Sequence, residues 1–137
     1  TSGTCHFLED SLVSWSCKKQ HSVALSTTEA EYVAAGSCCA QILWMQHTLT
    51  DYGMNFTKTQ ILCNNTSVIA LSKNPAHHSR AKHIDIRHHF LRNHTQKGDI
   101  ILQFIGTQDQ LADIFTKSLP SDRFEYIKQK LGMITVR

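Results

Sequence analysis

Two short apolar-rich runs, Thr4 to Leu8 and Leu12 to Cys17, flank Glu9-Asp10-Ser11, where Asp and Ser favour a turn, and this pattern predicts a β-hairpin. After Val23-Ala24-Leu25, the segment Ser26-Thr27-Thr28-Glu29 has the form of a capping box. In it the Ser hydroxyl accepts from a free first-turn amide and the Glu reaches back to the cap amide. Ala30, Val33, Ala34, Ser37, Cys38, Gln41, Trp44, Met45 and Thr48 then recur at helical spacing, and Gly53 closes the segment, which predicts a helix of ~25 residues. Thr59 to Cys63 reads as a short buried strand. Asn64-Asn65-Thr66 supplies cap residues for a second helix over Ser67 to Lys73, and Asn74-Pro75 stops it. Ile84, His88, Leu91 and Thr95 form one stripe of a third helix, Ala81 to Gln96. Asp99 to Ile105 alternates as a strand, and Asp109 to Lys117 and Ser121 to Leu131 read as helices separated by Ser118-Leu119-Pro120. Strands and helices in this order predict a mixed α/β fold.

The composition fits one domain. With 137 residues, 41% of them apolar and 18% charged, the chain has enough apolar surface for a core without metals or disulfides. No apolar run reaches the roughly 18 residues of a membrane span. Thr1-Ser2-Gly3-Thr4-Cys5-His6 lacks the basic start and apolar stretch of a signal peptide, so a cytoplasmic or nuclear address is expected and secretion is not. The chain starts without Met within a turn-like stretch, and an N-terminally truncated domain is the expectation that follows. Cys5, Cys17, Cys38, Cys39 and Cys63 lie in apolar stretches with no Cys pair at zinc spacing, which favours reduced, mostly buried thiols.

Charge is distributed unevenly. Lys73, Arg80, Lys82, Arg87, Arg92 and Lys97 face a single acid, Asp85, between residues 73 and 97, and six of the nine His fall there too. That excess is larger than the net charge of +3, so the rest of the chain is weakly acidic. A basic segment on such a body suits a polyanion, and equally a solvated helix face.

Several segments closely resemble the ribonuclease H domain of copia-type retrotransposon polyproteins. They are Ser14-Trp15-Ser16-Cys17-Lys18-Lys19-Gln20, the run from Val23 to Tyr32, Asn74 to Arg80, Lys82 to Phe90 and Gln110 to Lys117. The resemblance runs from Thr1 to about Met133 and implies a ribonuclease H-like mixed sheet flanked by helices. The implied activity is hydrolysis of the RNA strand of an RNA/DNA hybrid with two Mg²⁺ ions. Two divalent ions about 4 Å apart repel each other, and a cluster of ionised carboxylates must offset that charge.

The resemblance places the helix acid of the family at Glu31 and its late-helix acid at Asp113. Glu29, two residues from Glu31 and about 200° round the helix, serves as the capping-box partner. Where the family has Cys-Asp-Asn, this chain has Cys63-Asn64-Asn65, so the neutral amide of Asn64 stands at the position of a carboxylate. The family's first-strand acid, and the strand carrying it, have no counterpart in these 137 residues. An amide oxygen can ligate Mg²⁺ but contributes no charge. Each ~1.4 kcal/mol of lost transition-state stabilisation is a tenfold loss of rate, so the chain alone is expected to be inactive, with weakened Mg²⁺ binding.

The expected ligand is an RNA/DNA hybrid, with Arg80, Lys82, Arg87 and Arg92 pairing with phosphates. An open sheet edge left by the absent strand offers a protein partner, or a second copy, a place to add a strand. The alternative to an inactivated nuclease is a host-adopted nucleic-acid- or protein-binding module on the same fold.

Overall fold

The computed structural model describes residues 2–18, 27–56, 58–73 and 82–133, with the backbone alone at 18 and 82–89. The chain divides into two compact units, residues 21–105 and residues 1–20 with 106–137. The architecture is mixed α/β, with two two-stranded sheets and four α-helices among the described residues, and is consistent with a ribonuclease H-like fold.

The central unit contains α1 (Thr27–Asp51), β3 (Thr59–Cys63), α2 (Thr66–Lys73), α3 (Lys82–Lys97) and β4 (Ile100–Phe104). The two strands before them, β1 (Ser2–Leu8) and β2 (Ser11–Lys18), belong to the other unit. Strands β3 and β4 pair in parallel, with Thr59 opposite Ile100 and Cys63 opposite Phe104. The intervening pair of helices provides the long crossover that parallel neighbours require. Period two sends Ile61, Ile100 and Leu102 to one face, where they meet Tyr32, Ala35, Cys39 and Ile42 of α1, Val68 of α2 and Leu91 of α3. Gln60, Leu62, Ile101 and Gln103 on the opposite face are exposed. Full burial of side chains such as Val68, Leu91 and Ile100 stabilises by roughly 1.5–3 kcal/mol each.

The helix predicted after Ser26 spans 25 residues from Thr27, while Ser26 itself, the expected cap, lies outside the described residues. Gly53 ends it with φ +82°, a conformation that costs Gly no steric penalty. The amide of Gly53 then bonds Thr50 O at 3.0 Å and that of Met54 bonds Leu49 O at 2.9 Å, the paired closure of a Schellman motif. Gln46 Nε2 donates to Thr59 Oγ1 at 2.7 Å and ties α1 to the start of β3. Thr95 Oγ1 donates to Ser72 O at 3.2 Å, tying α3 to α2.

The second unit opens with the expected hairpin, β1 (Ser2–Leu8) and β2 (Ser11–Lys18), antiparallel with Cys5 opposite Trp15. Glu9 takes φ +55° in the two-residue turn, and the register shifts by one between His6 and Phe7. On β2, Leu12, Ser14 and Ser16 are half-buried, whereas Val13, Trp15 and Cys17 are exposed. The helix expected over Asp109 to Lys117 is replaced by two 3₁₀ turns, η1 (Thr107–Asp109) and η2 (Leu111–Phe115). Gln110 between them is extended, with φ −76° and ψ 100°, so an i to i−4 ladder cannot pass through it. Helix α4 (Ser121–Lys130) follows Pro120 and buries Ile127.

Candidate functional site

Glu31 sits in the early part of α1, half-buried and next to the fully buried Tyr32. Its charge reaches the carboxyl end of β3. The Cys63 thiol is pushed above its ordinary pKa first by burial and then by the negative charge of Glu31, against a lowering hydrogen bond with the Asn65 backbone. Asn64 is the next residue after Cys63, half-buried at the end of the strand. The carboxyl ends of parallel strands are where open α/β sheets bind ligands.

The turn after β3 is fixed by its own sequence. Asn65 Oδ1 accepts from the amides of Ser67 at 2.9 Å and Val68 at 3.2 Å, which makes Asn65 the cap of α2. The Asn65 amide donates to Cys63 Sγ at 3.5 Å, so the backbone on both sides of Asn64 is held. A carboxylate at 64 would lie next to a thiol that already feels Glu31. The amide in its place adds no charge there.

Asp113 belongs to the other unit, on η2, with its side chain 16% exposed. Arg123 Nη2 donates to its Oδ2 at 2.9 Å, and Lys117 Nζ lies 3.6 Å from the same oxygen. The same Arg123 nitrogen also donates to the carbonyl of Thr107. Arg123 has no local signature: it follows Asp113 by ten residues, across Pro120 and a change of element, and no helical or strand period links the two.

Of the expected phosphate partners, Arg80 lies outside the described residues, and Lys82 and Arg87 lie on α3 where only the backbone is described. Arg92 is a correction. It is 5% exposed and hydrogen-bonded to the Tyr32 side chain, so its guanidinium is part of the interior and is not presented to a phosphate. On the same helix, His94 Nδ1 lies 3.2 Å from Asp99 Oδ2 and its ring meets Phe90 edge-on with centroids 4.8 Å apart.

Neither unit by itself offers, among the described residues, the donors for a pair of Mg²⁺ ions: the central unit has Glu31 and a neutral amide at 64, and in the other unit the Asp113 carboxylate already faces a guanidinium and an ammonium. Among the described residues no group of three or more His, Cys, Asp or Glu is arranged to hold a metal. Two adjacent divalent ions need more negative charge than this to remain together.

Comparison with known proteins gives a consistent likeness. Over 121 residues, 88% of the chain, it is 39% identical to the retrovirus-related Pol polyprotein from transposon TNT 1-94 of Nicotiana tabacum. It is 38% and 37% identical over 137 residues, 99% of the chain, to the retrovirus-related Pol polyproteins from transposons RE1 and RE2 of Arabidopsis thaliana. The chain spans 9% of the length of each of these relatives. No protein-family model and no solved structure matches it. The likeness is to a retrotransposon Pol region and supports a retrotransposon-derived domain.

Proposed function

We propose that this chain is a ribonuclease H-like domain of copia-type retrotransposon origin that does not cleave RNA/DNA hybrids by itself. The observation that carries the reading is at the end of β3. Asn64, a neutral amide, follows directly on a residue within the field of Glu31, where the resemblance expects a second carboxylate. The motif order from Trp15 to Lys117 and the parallel β3–α2–α3–β4 crossover support the ancestry. Chemically, Glu31 supplies negative charge near the end of β3, and the neutral amide at 64 adds none of the further charge needed to stabilise a phosphate under attack by water.

A binding role on the same fold remains the second reading, favoured by the basic excess between residues 73 and 97. In it, the chain holds nucleic acid through Arg80, Lys82 and Arg87 in the cytoplasm or nucleus, or takes a protein strand at a sheet edge. Restoration separates the two readings. Asn64→Asp, combined with the strand that precedes the matching region in a transposon relative, is expected to return Mg²⁺-dependent hybrid cleavage. A folded restored chain with no cleavage would count against the nuclease ancestry and in favour of the binding module.

A further inference from the structure

We infer that Asp113 works in this chain as the internal counter-charge of Arg123, a clasp joining η1, η2 and α4, and not as a cation ligand. The geometry joins three elements through one side chain. Arg123, in the first turn of α4, donates through Nη2 both to Asp113 Oδ2 of η2, at 2.9 Å, and to the Thr107 carbonyl of η1. The two side chains are only 16% and 20% exposed, so this pair is more desolvated than the surface ion pairs whose contribution is near zero. Lys117 adds a second cation 3.6 Å from the same oxygen.

Local structure explains why such a clasp is needed. Short 3₁₀ turns have poor hydrogen-bond geometry and do not persist alone. Neither η1 nor η2 has a side-chain cap bond at its start, and α4 begins at Pro120 without one. The Arg123 guanidinium therefore supplies a tie that the backbone does not. Its Nε is buried without a hydrogen-bond partner among the described residues, which leaves Nη2 as the atom whose two bonds fix the group. A divalent ion approaching Asp113 would meet two cations, and to bind it would have to displace a guanidinium that has lost most of its water.

This inference stands apart from the nuclease ancestry, because the pairing of Asp113 with Arg123 is a property of the present chain. The test is a double-mutant cycle on the full 137-residue chain with Asp113→Asn, Arg123→Gln and the double variant, followed by thermal unfolding with and without millimolar Mg²⁺. Each single variant is expected to lower Tm by about 5 °C or more. The double variant should fall little below the worse single one, and Mg²⁺ should leave the parent and Asp113→Asn equally unmoved. If Arg123→Gln fails to fold, Arg123→Lys, which keeps charge but loses the fork, takes its place in the same cycle. Strictly additive losses, or a Mg²⁺-dependent rise in Tm present in the parent and lost in Asp113→Asn, would overturn the inference.

Discussion

Arg92 hydrogen-bonds the phenol of Tyr32 in the interior of the central unit, joining α3 to α1 one residue along from Glu31. Tyr32 is fully buried and Arg92 is 5% exposed. Burial raises the Tyr32 pKa, and the charge and hydrogen bond of Arg92 act in the opposite direction. The neighbour of the helix acid is thus anchored by a cation that charge counting alone would assign to the surface. Tyr32→Phe removes one hydrogen bond from a buried guanidinium, and the expected cost is about 1.5–3 kcal/mol. Urea unfolding should show a lower midpoint with an unchanged slope. A midpoint equal to that of the parent would show that this bond contributes nothing.

Gly3 is expected to tolerate no side chain. A Cβ there would lie 2.6 Å from Thr116 Cγ2 and 3.0 Å from the Ala112 carbonyl oxygen. The second contact is backbone and cannot rotate away, so Gly3→Ala should cost about 1–3 kcal/mol by forcing β1 and η2 apart. The same urea measurement checks it, and a neutral Gly3→Ala would refute the close approach of β1 to the turn that carries Asp113.

Asn65 caps α2 through two accepted amide bonds. Asn65→Ala is expected to cost about 1 kcal/mol, whereas Asn65→Asp, which retains the acceptor, should cost less. Hydrogen exchange at Ser67 and Val68 provides a local readout: both amides should lose protection in the Ala variant and keep it in the Asp variant. Equal exchange in the two variants would argue against the cap.

Much of this was legible in the chain. The capping-box pattern and Gly53 bracketed α1, and the Thr59 to Cys63 strand, the Asn64-Asn65-Thr66 cap region and the opening hairpin all carry local signals. The failures have physical causes. Asp109 to Lys117 has the apolar content of a helix, but Gln110 is extended, and tertiary packing against β1 sets the turn geometry. Arg92 directly follows the buried Leu91 and is buried with it, and a charged residue off the apolar stripe carries no local signal for that. The pairing of Asp113 with Arg123 crosses two elements, and no sequence period encodes it.

The thiols provide a pH test with a defined sign. Burial pushes Cys5 up to about 11, and burial followed by the charge of Asp99 pushes Cys39 up to about 11, from an ordinary value of 9.0. The folded state therefore holds these protons longer than the unfolded state, and stability should decline as pH rises from about 9 towards 11. Because the thiolate is the nucleophile, iodoacetamide at mildly alkaline pH should label the exposed Cys17 first, the half-buried Cys5 more slowly, and Cys39 only after unfolding. Peptide-resolved mass spectrometry reads the order, and early labelling of Cys39 would contradict its placement in the core.

The acids of this chain are not expected to support two-metal hydrolysis. The direct test is cleavage of an end-labelled RNA/DNA hybrid by the 137-residue chain in Mg²⁺ and in Mn²⁺, beside a Glu31→Gln control prepared identically. No product above that control is expected with either metal. Robust cutting by the parent that vanishes in Glu31→Gln would contradict it.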